Sequence, residues 1–143
     1  MNLLLLVDGD FISPGQVVLQ GRRLQHLRAV QRVEVGDTLR IGQLGGLQGE
    51  GLITTMDEHS AELAVRLDQP APAKLPITLL LALPRPKMLR RVLQTISAMG
   101  VPRLILLNSY RVEKSFWQTP FLAPEAIREQ LLLGLEQARD TVL

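Results

Sequence analysis

The segment Gln69–Pro76 reads QPAPAKLP and sets three prolines within eight residues. Each proline fixes its own φ, removes a backbone donor and pushes the preceding residue away from helical conformations. No helix can run through such a stretch, and no central strand can include it. The chain is therefore read as two parts, 1–70 and 71–143, whose patterning differs. Hydrophobic residues make up 46% of the sequence and charged residues 21%, a balance that favours a buried core over a disordered chain.

The first part reads as short strands and turns. Leu3–Val7 is a short apolar strand, followed by turn signals at Asp8-Gly9-Asp10 and Ser13-Pro14-Gly15, with Val17–Leu19 as the next strand. Arg22–Val33 places Leu24, Leu27 and Val30 at helical spacing, which predicts a one-sided helix with Arg28 and Arg32 on its polar side. Val35-Gly36-Asp37 turns into a strand at Thr38–Ile41. Gly42–Gly51 holds five glycines and predicts a hairpin. Gly51–Met56 and Ala61–Leu67 follow as strands, the second alternating Leu63, Val65 and Leu67 with Glu62, Ala64 and Arg66. Several short strands with one helix predict a small β-barrel of about 70 residues.

The second part changes period. Ile77–Leu83 is a nearly continuous apolar run, as in a strand covered on both faces. Pro86–Met99 is amphipathic: Leu89, Val92, Leu93, Ile96 and Met99 form a stripe, and Lys87, Arg90, Arg91 and Gln94 face away. Gly100 and Pro102 supply the stop. Leu104–Leu107 predicts a second buried strand. Pro124 opens a last helix with a stripe of Ile127, Leu131, Leu135, Ala138 and Val142, broadened by Leu132 and Leu133. The order β-α-β-α implies a parallel sheet. Two strands cannot cover two apolar helix faces, so the sheet is expected to be completed by downstream sequence or by another subunit.

Composition narrows the chemistry. Without cysteine there is no disulfide scaffold, thiolate metal site or cysteine nucleophile. Two histidines, His26 and His59, leave little for a metal centre. No apolar run is long enough for a membrane helix, and the N-terminus lacks the pattern of a secretory signal. A soluble, cytoplasmic protein is expected. The net charge of +2 conceals two basic segments. Arg22–Arg40 holds five arginines against Glu34 and Asp37, net +3. Arg85–Lys114 holds seven basic residues against Glu113, net +6, while the rest of the chain is net −7. Clustered arginine is the footprint of a nucleic-acid binder, although solvated faces carry such charge too.

Several motifs have two readings. The glycine stretch Gly42–Gly51 has neither GxxxxGK[ST] nor GxGxxG, and no helix opens after it, so a hairpin fits better than a phosphate loop. His26, within RRLQHLRAVQR, either contacts RNA or is a partly buried helix residue. Lys87 and Arg91 stand at i,i+4 beside Arg90, with no carboxylate at i+4 to neutralise them. They either hold phosphates on a rigid face or form a solvated one. Four of the five aromatics lie in Tyr110–Phe121, where they either stack on a base or pin a long loop. Glu136 and Arg139 can pair at i,i+3. No Ser/His/Asp set, fixed carboxylate pair or metal-ligand spacing is present, so no catalytic residue and no metal is expected.

Read together, these segments resemble the 16S rRNA uracil-N3 methyltransferases (RsmE) of the SPOUT superfamily. Arg23-Leu24-x-His26-Leu27-x-x-Val30 with Arg32, then Val35-Gly36-Asp37, resembles the opening RxxHLxxVLRxxxGD signature. Gln94 and Met99-Gly100-Val101 match the QKxxELGV helix end, Ser109-x-Arg111 the SxR after the next strand, and Glu136-Gln137 an EQ pair. Thr95 replaces the usual lysine, Ala98 replaces glutamate, and Arg139 lies one residue closer to the EQ pair than the family's arginine.

The resemblance implies a PUA-like RNA-binding β-barrel over 1–70. It implies the first half of a SPOUT α/β methyltransferase domain over 71–143. It also implies S-adenosyl-L-methionine as cofactor, bound in a trefoil knot of GPEGG-like and LRxETA-like segments absent from this sequence. No cofactor is expected for this chain alone. The implied partners are 16S rRNA in the small ribosomal subunit and a second copy in a homodimer, with neither DNA nor membrane. Arg22, Arg23, His26, Arg28 and Arg32, with Arg85, Lys87, Arg90 and Arg91, would hold the RNA backbone, and Ser109 and Arg111 would lie near the target uracil or cofactor cleft. The alternative is a non-catalytic RNA-binding or assembly module.

Overall fold

The computed structural model describes residues 2–143. They form two compact units, Leu3–Ala71 and Pro72–Leu143, with Asn2 belonging to the latter.

The first unit holds six strands: β1 (Leu4–Leu6), β2 (Phe11–Ser13), β3 (Gln16–Gln20), β4 (Thr38–Gln43), β5 (Gln48–Met56) and β6 (Ser60–Gln69). They form one sheet in the order β1-β4-β5-β6-β3-β2. β1 pairs parallel with β4, and every other pairing is antiparallel. The two edge strands are consecutive in sequence, joined only by Val7 and a 3-10 turn at Asp8–Asp10. Six flat strands at about 4.8 Å spacing would put those edges about 24 Å apart. The peptide steps from Leu6 to Phe11 span at most about 18 Å, so the sheet must curl. Its concave side holds the core, including Leu6, Leu19, Ile41 and Leu63, all fully buried. The expected alternation of β6 is present: Ala61 and Leu63 are buried, while Ala64 and Arg66 are exposed.

The helix expected over Arg22–Val33 is shorter. α1 covers Gly21–His26 and passes into a π-type turn at Leu27–Gln31. Leu24 and Leu27 are buried as expected, but Val30 is 65% exposed. The wider turn rotates Val30 off the apolar face, and Arg32 ends it in the left-handed conformation. β2 was not signalled by any pattern; it is three residues long and pairs with β3.

The second unit contains β7 (Thr78–Ala82), α2 (Pro86–Ala98), β8 (Arg103–Leu107) and α3 (Pro124–Ala138). β7 and β8 pair in parallel, Thr78 opposite Arg103 through Ala82 opposite Leu107. The strands were expected to be covered on both faces, and they are not. Leu79, Leu104 and Leu106 pack against the core of Leu83, Leu89, Leu93 and Ile96, whereas Leu80, on the other face, is 60% exposed. Both helices contribute to that one covered face, since Ile127 and Leu131 of α3 pack on the same cluster. Met99 departs from the expected α2 stripe: it caps the helix and is 59% exposed. Val142 lies beyond the end of α3 rather than on its stripe.

α2 and α3 meet closely. Ser97 Oγ donates to the Leu131 carbonyl at 2.7 Å, and Gln94 Nε2 donates to Gln130 Oε1 at 2.6 Å. The C-terminal carbonyls of α3, which have no partner within the helix, accept from Asn2: its N–H reaches Glu136 at 3.0 Å and its Nδ2 reaches Gln137 at 2.9 Å. Lys74 Nζ reaches both Asp140 Oδ2 and the Val142 carbonyl at 2.5 Å, tying the start of this unit to its end. Among the described residues no helix is long and apolar enough to cross a membrane.

Candidate nucleic-acid interface

In the first unit the basic residues follow α1 and its turn. Arg22, Arg28 and Arg32 are exposed, and His26 is half-buried. Arg28 Nη1 donates to the Asp57 carbonyl at 3.4 Å, across to the β5–β6 turn. Arg23 differs from its neighbours. Its guanidinium grips the buried Asp10 carboxylate, with Nη1 to Oδ2 at 2.7 Å, and reaches the Leu5 carbonyl at 3.1 Å. It joins β1 to the turn that leads into β2. In the β5–β6 turn, Asp57 Oδ1 accepts from the His59 and Ser60 N–H groups at 2.7 and 2.8 Å. These two backbone donors hold its carboxyl below the ordinary range.

In the second unit, parallel pairing decides what comes together. β7 and β8 run side by side with Ala82 opposite Leu107, so the segments after them leave the sheet at the same carboxyl edge. One of these segments carries Arg85, the residue that precedes α2, and Lys87 in its first turn. The other carries Ser109, Tyr110 and Arg111. All five side chains are exposed. Carboxyl edges of parallel strands are where open α/β sheets bind ligands. Arg90 and Arg91 continue the exposed basic face along α2, and the Arg90 guanidinium lies 5.0 Å from the centroid of the Phe121 ring. Sequence reasoning did not find the contact between Trp117 and Asn108, where Nε1 donates to Oδ1 at 3.3 Å. The two stand nine positions apart in an irregular loop, and no periodic pattern links them.

The second unit also encloses an apolar cavity of about 290 Å³ lined by residues such as Leu93, Ile96, Leu104 and Leu131. Its polar groups are already committed: Lys74 to Asp140 and Val142, and Ser97 to Leu131. Among the described residues, no group of three or more His, Cys, Asp or Glu side chains could hold a metal ion.

Four likenesses to known proteins bear on this arrangement. The RNA methyltransferase domain family matches residues 71–143. Ribosomal RNA small subunit methyltransferase E of Treponema pallidum is 28% identical over 146 residues, covering 100% of this chain and 54% of that protein. The crystal structure of ribosomal RNA small subunit methyltransferase E from Neisseria gonorrhoeae, bound to S-adenosyl methionine, superposes with a TM-score of 0.70 at 18% identity, over 100% of this chain and 62% of that one. A Legionella pneumophila protein solved in complex with SAM gives 0.70 at 15% identity, over 99% of this chain and 60% of that one. The structural likenesses speak to fold. The chain spans about half the length of the curated relative it matches. The family match covers the unit that holds α2, α3 and the exposed carboxyl-edge loop. The chain belongs to the RNA methyltransferase domain family.

Proposed function

We propose that this chain is the RNA-binding portion of an enzyme that methylates N3 of a uridine in 16S rRNA, with S-adenosyl-L-methionine as methyl donor. The observation that carries this reading is the carboxyl edge of β7 and β8, where Arg85, Lys87, Ser109 and Arg111 are all exposed. The basic face of α2 runs on from that edge. The curled sheet of residues 3–71 supports reading 1–70 as a PUA-like barrel that adds a second phosphate-binding segment through Arg22, Arg28 and Arg32. His26 sits in the same helix. Arg23 serves the fold through Asp10.

S-adenosyl-L-methionine needs donors and acceptors for its carboxylate and ribose hydroxyls. The apolar cavity described above does not supply them, because Lys74 and Ser97 are spent on Asp140, Val142 and Leu131. That cavity therefore does not fit the cofactor. In this reading the cofactor-binding knot belongs to the length of the relatives that this chain does not span. The whole enzyme acts as a homodimer on the small ribosomal subunit in the cytoplasm. Transfer to uridine N3 requires removal of the N3 proton.

Titrating this chain with fragments of 16S rRNA at several salt concentrations tests the proposal. Neutralising about four to eight phosphates of a single strand gives a slope of log K against log salt of about −3 to −6. Duplex DNA of equal length should bind more weakly at every salt concentration. Affinity that barely changes with salt, or equal affinity for DNA, contradicts it.

A further inference from the structure

The aromatic residues of the loop between β8 and α3 divide into two kinds. Phe116 is half-buried and packs on the core cluster of Leu83, Leu89, Leu93 and Ile96. Phe121 is half-buried beneath the Arg90 guanidinium. These two pin the loop. Tyr110 is 100% exposed and Trp117 is 41% exposed, and packing within the unit does not account for either surface. Large aromatic rings left in water forgo the burial that usually places them in a fold.

We infer that Tyr110 and Trp117 form a stacking platform for an unpaired RNA base, an inference that rests on the RNA reading above. Trp117 is held in place rather than loose. It sits in a 3-10 turn, Lys114–Gln118, and its Nε1 donates to Asn108 Oδ1 at 3.3 Å, at the point where the chain leaves β8. The hydrogen bond consumes the polar edge of the indole and leaves part of the ring open. A ring already fixed in this way loses little freedom when a base stacks on it. Tyr110 stands two residues from Asn108, between Ser109 and Arg111.

The surrounding charge selects the partner. Arg111 and Lys114 are exposed on the same loop, with Arg85 and Lys87 at the same carboxyl edge, and Glu113 is the loop's single acid. Aromatic faces for bases next to cations for phosphates are the two components of single-strand recognition. The base must be unpaired, because a base within a duplex offers no free face to a side chain. A base that undergoes chemistry must also leave its stack. Asn108 is thus a positioning residue, and Tyr110 and Trp117 are the contacts.

Trp117 is the sole tryptophan of the chain, so its emission reports this loop alone. The test titrates the protein with end-labelled oligouridylate and with an abasic ribose-phosphate oligomer of the same length, following label anisotropy and tryptophan emission together. Expected are quenching in step with uridylate binding and none with the abasic oligomer. Tyr110→Ala should weaken uridylate binding between about fivefold and about a hundredfold, Trp117→Phe should retain most of the affinity, and Asn108→Ala should reduce the quench. Circular dichroism establishes that each variant is folded. If Trp117→Phe does not fold, the fully exposed Tyr110 decides the matter. Binding without quenching, together with unchanged affinity in Tyr110→Ala, overturns the platform and leaves the RNA reading standing. Binding of neither oligomer overturns both. Emission that depends on protein concentration without RNA assigns the loop to contact between copies and likewise overturns the platform.

Discussion

Arg23 holds Asp10 with both arms of its guanidinium, Nη1 to Oδ2 at 2.7 Å and Nη2 to Oδ1 at 2.5 Å. Asp10 Oδ2 also accepts from the Val7 N–H at 2.8 Å, so a single carboxylate organises the turn between the two edge strands of the curled sheet. Removing the arginine strands a buried acid. Arg23→Ala should therefore destabilise the first unit by about 2–4 kcal/mol, below the full cost of breaking a buried pair because Arg23 is partly exposed. Arg23→Lys should recover little, since an ammonium cannot reproduce the fork. Urea unfolding measures both, and a change within about 0.5 kcal/mol for Arg23→Ala would put it among ordinary surface substitutions and contradict the clasp.

The contact between α2 and α3 is set by Gly134. A Cβ there would stand 2.4 Å from the Gln94 carbonyl oxygen and 2.7 Å from Ser97 Cβ. Gly134→Ala must push the helices apart and loosen the Gln94–Gln130 and Ser97–Leu131 hydrogen bonds. The expected loss is about 1–3 kcal/mol, seen as a lower midpoint in thermal unfolding. Gly49→Ala, where a Cβ would meet the Arg66 carbonyl oxygen at 1.8 Å, should cost at least as much. An unchanged midpoint for either variant would contradict the packing described.

Arg32 has φ 52° and ψ 40° at the end of the π-type turn, a conformation that costs a residue with a Cβ about 1–2 kcal/mol. Arg32→Gly should relieve that strain, offset in part by glycine's greater freedom in the unfolded chain, for a net gain of up to about 1 kcal/mol. The same change removes an exposed cation and should weaken RNA binding. Stability and affinity are thus expected to move in opposite directions. Loss of both would mean that Arg32 anchors the turn.

The β5–β6 turn should be acid-sensitive. The His59 and Ser60 N–H groups hold the Asp57 carboxyl below its ordinary value of 3.8. A carboxyl lowered in the folded state stabilises that state above its unfolded value, and the contribution disappears as the pH falls through the folded value. Carbon-detected NMR titration should show Asp57 titrating below 3.8, with the His59 and Ser60 amide signals shifting over the same range, and Asp57→Asn should abolish that shift. Titration at or above 3.8 would contradict the hydrogen-bonded turn.

What the sequence revealed depended on range. The alternation of β6 and the stripe of α2 are local patterns with a fixed period, and the structure contains both elements. The early end of α1 was not legible, because no glycine or proline marks the π-type turn. The bare face of β7 was not legible either. An apolar run such as Ile77–Leu83 reads alike whether one face or two are covered. The candidate site shows the same limit. Arg23 looks like Arg22 in sequence, and only the fold brings it to Asp10, thirteen positions away. The order of the segments Arg23–Asp37, Gln94, Met99-Gly100-Val101, Ser109-x-Arg111 and Glu136-Gln137 suggested the family, and the RNA methyltransferase domain match supports it.

The most direct test of the central claim, that this chain holds RNA on two basic segments, is ultraviolet cross-linking to 16S rRNA with mass-spectrometric mapping of the linked peptides. The account predicts cross-links within Arg22–Arg32 and within Arg85–Lys114, with Tyr110 or Trp117 among the linked residues. Cross-links confined to the acidic remainder of the chain, or none at low salt, would contradict it.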